Sequence, residues 1–363
     1  MRAMYRILII SMAVSLAAAA GSARADFGVL GTANSYGEFI LGDSTRSNVD
    51  GQGRIAVAGN AMFNNFTVGS KQVANTGQNN LVVGGNLTAN GASTVGSVFV
   101  NGNATYTQPT VDPNTSKPFH DVFAANGSVT FGSFGSVNAD VHYGTTYTPS
   151  TTTVNGIATN VTTPAPINFG SEATFLQNLS AAQVSAGDPT VHLLFAALHF
   201  TGTANTTSYY NVSAAEFNGS TSGYNFSGPS TSTIVVNVSG ASINIPNTGF
   251  DYSNGILESH VLFNFYQATS LSFGGAKGSI LAPLAVTTYN SGGFDGNLIV
   301  KSLSGSGETH IFDQNGNGSN SALFSGNLRS LRAVPEPSSI VLLGLGGLVG
   351  AVAIRRRRQT RLG

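Results

Sequence analysis

Apolar residues are distributed in two ways along this chain. At each end they form one long run, Ile7 to Ala20 and Ile340 to Ile354. Between those runs they come in short bursts separated by glycine and asparagine. The bursts are strand-like and rich in β-branched residues, as in Leu81-Val82-Val83, Ser97-Val98-Phe99-Val100, Ile234-Val235-Val236-Asn237-Val238 and Leu298-Ile299-Val300. Recurring punctuation sits beside them: Ala58-Gly59-Asn60-Ala61, Gly84-Gly85-Asn86-Leu87, Asn101-Gly102-Asn103-Ala104 and Asn126-Gly127-Ser128-Val129. The glycines Gly59, Gly85, Gly102 and Gly127 are 26, 17 and 25 residues apart. Spacings near twenty suit the coils of a β-solenoid, in which each turn stacks on the last. Gly and Asn are expected because corners between coils call for left-handed backbone. Small residues would also let coils approach to sheet spacing. A β-sandwich with hairpin turns shares this composition; the spacing favours the solenoid.

One segment has a different period. Phe175, Leu176, Leu179 and Ala182 recur at helical spacing, after Ser171-Glu172 and before Gly187-Asp188-Pro189. Ser at the N-cap, an acid in the first turn and a Gly-x-Pro stop predict one helix over about 171–186. Its narrow apolar stripe predicts a brace lying on the outside of the β core. Strand pattern resumes at Val191 to Phe200, which hardly alternates and is expected to be fully buried.

The two terminal runs read as addresses. Arg2 and Arg6 precede the first run, and Ala23-Arg24-Ala25 is a small-x-small cleavage site. This is a secretory signal peptide over 1–25, with cleavage expected after Ala25. The second run follows Val334-Pro335-Glu336-Pro337-Ser338 and ends in Arg355-Arg356-Arg357-Arg358. Two prolines around a glutamate stiffen an extended linker. Ser338 to Ile354 would be about 25 Å long as a helix, at the short limit for a single transmembrane span. Four arginines supply a cytoplasmic membrane stop.

Removing the ends changes the charge. The whole chain is neutral, but between Asp26 and Val334 eight basic residues face fifteen acidic ones, a charge of −7. Such a body has no electrostatic footprint for nucleic acid. It has no cysteine, so an exported fold must rest on its own core.

The tail closely resembles the PEP-CTERM sorting signal of Gram-negative bacteria, named for Pro335-Glu336-Pro337. The resemblance implies recognition and processing by exosortase, a membrane protease-transferase. The route would pass through the inner membrane to the cell surface or its exopolysaccharide and biofilm matrix. The body resembles the choice-of-anchor A family of bacterial surface adhesins. The residues carrying this are Tyr210 to Phe217, Val236 to Gly240, Leu262-Phe263-Asn264-Phe265, Gly278 to Pro283 and Gly305 to His310. That likeness implies a parallel, ice-binding-like β-solenoid with a long flanking helix.

Candidate chemistry is thin. His120, His142, His192, His199, His260 and His310 lack metal-ligand spacing. His192 and His199 are read as core or boundary groups. Glu308 and His310 would share a strand face and form a structural hydrogen bond near the solenoid end. Asp313-x-Asn315-x-Asn317-Gly318 copies the start of a calcium loop. Its twelfth position would be Phe324 in place of a bidentate glutamate, so a polar linker is preferred. Thr145 to Thr163, flanked by prolines, reads as a flexible loop in preference to an ordered hydroxyl array.

The expected organisation is an all-β body over 26–320, a linker over 321–333 and the sorting tail over 334–363. The expected function is non-enzymatic adhesion without a cofactor. The alternatives are ice binding, which needs a flat threonine face, and a polysaccharide-acting enzyme, which needs paired carboxylates in a cleft.

Overall fold

The structure, a computed structural model, describes residues 28–112, 117–312 and 321–331. The signal peptide with Ala23 and Ala25, the sorting motif, the transmembrane run with its arginines, and Asp313, Asn315 and Asn317 all lie outside them. Among the described residues no helix is long and apolar enough to cross a membrane.

Phe27–Arg329 forms one compact unit, a parallel β-solenoid with a three-faced coil. Face 1 shows how the chain is threaded. Glu38–Ile40 pairs with Ile55–Val57 on one side and with Leu298 to Val300 on the other. From Ile55 the coils run outward through Asn79–Val83, Ser97–Val100, Val122–Ala125 and Asp140–Tyr143 to Ala158–Asn160. The chain then crosses to the opposite end and coils back through Thr207–Ser213, Thr233–Ser239, Val261–Asn264 and Ser279–Tyr289. First and last coils therefore meet in the middle of the stack, at a seam.

The crossing contains the helix, α1, Phe169–Ala182. Its N-cap is Asn168, three residues before the expected Ser171: Asn168 Oδ1 accepts from Ser171 N–H at 3.1 Å. Asn, like Ser, offers a side-chain acceptor there, and Phe169 is needed inside the helix to meet Phe39 at 5.8 Å between ring centroids. Leu176 and Leu179 are buried against face 1. At the far end Ser180 Oγ donates to Asn264 Oδ1 (2.6 Å), and Asn237 Nδ2 donates to the Gln183 carbonyl (3.0 Å). The helix thus straddles the seam as a brace on the outer face.

Four other expectations change. Only Ala197–Thr201 of the Val191–Phe200 stretch is strand. It is preceded by a tight turn with Phe195 and Ala196 at positive φ and Phe195 90% exposed. The apolar run had concealed a reversal without glycine. His192 and His199 are both exposed, and His192 pairs with Glu216 at 3.0 Å. The threonine-rich stretch is not a loop, since Tyr147–Thr148, Thr153–Val154 and Ala158–Asn160 form the last outgoing coil. Stacking on the previous coil supplies the ladder that its prolines and polar composition concealed. The chain expected to begin a linker is packed at 321–329: Phe324 is buried, and Arg329 pairs with Asp188 and stacks on Tyr209.

The seam has its own chemistry inside the core. On face 1 the inward column reads Phe263, Ile280, Leu298, Glu38, Ile55, Leu81, Val98 and Phe123. Glu38 is the only charge in it, and it is fully buried with Arg46 at 3.0 Å. Arg46 also donates to the carbonyls of Gly305 and Gly307 on the last coil and lies over the rings of Phe66 and Tyr289. Thr309 Oγ1 of the last coil donates to Glu38 Oε1 (2.9 Å). A buried ion pair rarely adds net stability, because desolvation cancels the attraction; its best-attested use is to fix register.

Candidate binding face

Face 2 begins at the Gly-Asn corner, and the corner explains the repeat. Asn60 N–H donates to Asp43 Oδ1 (2.7 Å), Asn86 N–H to Asn60 Oδ1 (2.9 Å), Asn103 N–H to Asn86 Oδ1 (2.8 Å) and Ser128 N–H to Asn103 Oδ1 (2.8 Å). Each side chain caps the backbone of the next coil, so a column of amides runs down the edge. None of the preceding glycines has positive φ. They are glycine because a Cβ at Gly59, Gly85, Gly102 or Gly127 would strike the Asp or Asn oxygen of the coil below. The left-handed conformation expected here belongs to the next corner, where Asn48, Asn65, Gly91, Gln108 and Phe134 have positive φ.

Past the amide column, strand alternation turns every second side chain outward. Following the register from the return half across the seam, the outward column is Asn244, Ser272, Thr288, Ser304, Thr45, Met62, Thr88, Thr105, Thr130 and Thr148. Nine of ten carry a hydroxyl or amide, and six are threonine. At about 4.7–4.9 Å per strand the column is about 43 Å long. The inward partners include Ala61, Phe63, Leu87, Ala89, Tyr106, Val129 and Phe131, all buried, which fixes the strands and hence the spacing.

The face is not a uniform plane. A groove of about 370 Å³ runs between the amide and threonine columns, lined by Asp43, Thr45, Asn60, Met62, Asn86 and Thr88. Met62 is 48% exposed at its centre. One carboxylate, Asp43, lines it, so the groove offers no acid/base pair.

Carboxylates do converge elsewhere, on face 3 beside the seam. His310 Nδ1 lies 2.6 Å from Asp295 Oδ1, and its Nε2 lies 3.3 Å from Glu308 Oε1. Lys277 Nζ is 3.4 Å from Glu258 Oε1 and 3.9 Å from Asp295 Oδ2. Burial alone would lower the His310 pKa, but Asp295 and then Glu308 outweigh it and raise the value. The Glu308–His310 contact does form, at the mid-stack seam and not at a solenoid end, because the chain closes on its own first coil. Asp295 and Glu258 are buried beneath their partners. Among the described residues no cluster of three or more His, Asp or Glu side chains has metal-binding geometry.

Sequence reasoning missed Glu38, Arg46, Lys277 and Asp295. A lone Glu in Glu38-Phe39-Ile40 was the available signal for the first of these.

Comparison with known proteins supplies the frame. No curated protein matches the chain. An ice-binding protein from an Antarctic Flavobacteriaceae bacterium is similar at 14% identity and a TM-score of 0.29, covering 80% of this chain and 78% of that one. Residues 333–358 match the PEP-CTERM protein-sorting motif, which spans Val334 to Ser338 and the four arginines. Residues 29–93 and 77–311 match the model described as "Putative Ice-binding-like adhesive domain". Neither family is catalytic. With most of its body so matched, the chain belongs to the ice-binding-like adhesive domain family.

Proposed function

We propose that this chain is a non-catalytic adhesin that holds hydroxyl-rich polymer, such as matrix exopolysaccharide, on face 2. The signal peptide and the PEP-CTERM tail support export through the inner membrane of a Gram-negative cell, exosortase processing and display at the surface or in the matrix. The likeness to choice-of-anchor A adhesins agrees with that destination.

The observation that carries the reading is the groove beside the threonine column. It combines an exposed thioether with amides and hydroxyls at fixed spacing. Sugars present the same combination, an apolar C–H surface edged by hydroxyls. Repeated weak hydrogen bonds along about 43 Å favour a polymer over a monomer, since linked contacts gain from effective concentration. The long threonine column favours a second reading, ice binding. A crystal plane, however, needs a flat partner, and the groove with its methionine interrupts flatness.

One set of variants separates the two. Thr88→Tyr fills the groove margin and Thr105→Tyr blocks the next place in the threonine column, neither touching the core. Glycan-array and polysaccharide binding should weaken about tenfold or more, the scale of a blocked anchor, with no thermal hysteresis in the parent protein. Thermal hysteresis abolished by the same variants, without glycan binding, would replace adhesion with ice binding. Fractionation with intact-mass analysis tests the route: a surface species beginning at Asp26 and ending near Pro337 is expected. Full-length protein retained in the inner membrane would refute it.

A further inference from the structure

The face 3 cluster at Lys277 has a geometry that an ordinary surface ion pair does not need. Lys277 and Asp295 are direct register partners on neighbouring parallel strands, Ala276–Lys277 and Gly293–Asp295. The ladder holds their side chains side by side, with Lys277 Nζ 3.9 Å from Asp295 Oδ2. Glu258 Oε1 is 3.4 Å from the same nitrogen, and His310 Nδ1 is 2.6 Å from the other Asp295 oxygen. Asp295 is 2% exposed, Glu258 6% and Lys277 24%. The aromatic Tyr252 closes the cluster, donating its hydroxyl to the Lys277 carbonyl at 2.6 Å.

We infer that Lys277 and Asp295 are the partners of a spontaneous intramolecular isopeptide bond, with Glu258 and His310 as its proton-handling groups. The reaction needs no co-reactant. The ammonium transfers a proton to Glu258, and the freed Nζ attacks Asp295 Cγ. The Nζ–Cγ bond forms and the Cγ–Oδ1 bond breaks. His310 donates one proton to the departing Oδ1 and Glu258 passes on the one it took, so that Oδ1 leaves as water; the second proton lost by Nζ reprotonates His310. One ammonium and one carboxylate become one neutral amide and one water, with no change of oxidation state.

Three physical effects favour this. Holding both groups on one ladder supplies the proximity that a bimolecular condensation lacks, an effect that can reach about 7–11 kcal/mol in well-oriented cases. Burial penalises the charged reactants and not the neutral amide. The raised His310 pKa keeps a proton where the leaving oxygen needs one. Tyr252 reports the same environment, its phenol held well above 10 by burial and then by the Glu258 and Asp295 charges. The bond would tie neighbouring coils close to the seam, giving a cysteine-free surface protein a covalent staple. This inference is independent of what face 2 holds.

The test is mass spectrometry of the full chain after denaturation. Cleavage after glutamate should yield the fragment 259–308, which contains both residues, one water lighter than its sequence. Trypsin should fail to cut at Lys277. Glu258→Gln, in which the fragment becomes 217–308, and Asp295→Ala should each restore the unmodified mass and the tryptic cut, and His310→Gln should slow bond formation. A wild-type fragment at its unmodified mass, cut completely at Lys277, overturns the proposal whether or not the variants fold.

Discussion

The outgoing and returning halves of the stack solve the same packing problem with different materials. From Glu38 to Asn160 coils are tied at their corner by side-chain amides, and face 2 presents threonine and asparagine to solvent. From Ala197 to His310 such ties are fewer, Asn244 N–H donating to Asn218 Oδ1 and Gly240 N–H to Gln267 Oε1, and the interior is aromatic. Phe217, Tyr224, Phe226, Phe250 and Phe263 meet one another at ring-centroid separations of 4.8 to 6.3 Å. A short helix, α2 (Ala214–Asn218), replaces the face 2 strand of the first returning coil. Outward on face 1, Asn211, Asn237 and Asn264 form a column that binds carbonyls of the crossing segment. One half spends its amides on an open corner beside the binding face, the other on holding the brace. The difference separates a display half from an anchoring half, and Arg46 joins them.

Breaking the join should have the largest effect. Arg46→Ala leaves Glu38 buried without a partner and should cost about 3–5 kcal/mol, whereas the double change Glu38→Leu with Arg46→Met should lose far less. Denaturant unfolding of both variants checks this; equal losses would show that the pair stabilises and does not merely set register. Within the display half, Gly102→Val should cost about 1–3 kcal/mol, because its side chain meets Asn86 Oδ1 and the Gly85 carbonyl. A Val at Gly249, whose added Cβ reaches only Asp251 at 4.0 Å, should cost clearly less.

The His310 site sharpens the comparison through pH, best read in Lys277→Arg, which keeps the charge but cannot form the amide. Both ring nitrogens face carboxylates, Asp295 and Glu308, with Lys277, Glu258 and Gln52 around them. The folded pKa is raised above its ordinary 6.5. The stabilisation is therefore complete below about pH 6.5 and is lost as pH rises through the higher folded value. Unfolding midpoints measured across that window should fall in Lys277→Arg and stay flatter in Lys277→Arg with His310→Gln. The smallest expected effect is at the brace: Asn168→Ala should lower stability by about 1 kcal/mol through the lost N-cap.

Local pattern was enough for much of this molecule. Gly-Asn spacing of 26, 17 and 25 residues is the coil length itself, since Ile55 pairs with Leu81, Leu81 with Val98 and Val98 with Phe123. The helix announced itself by its period and the sorting tail by its motif, because both signals are written in consecutive residues. Of the two reasons expected for the glycines, left-handed backbone does not apply at Gly59, whereas close approach of coils does, since what excludes a side chain there is an oxygen on another coil.

Everything that depended on which coil lies beside which needed the tertiary structure. The chain turns back through α1 and seats Leu298 against Glu38, 260 positions away in sequence. Only that return pairs Glu38 and Arg46 with the last coil, joins two runs of hydroxyls into one column, and sets Lys277 beside Asp295, which faces His310. Parallel stacking makes neighbours of residues by register and not by sequence distance. The parts are therefore legible along the chain, while the seam, the face and the cluster exist only once the two halves have met.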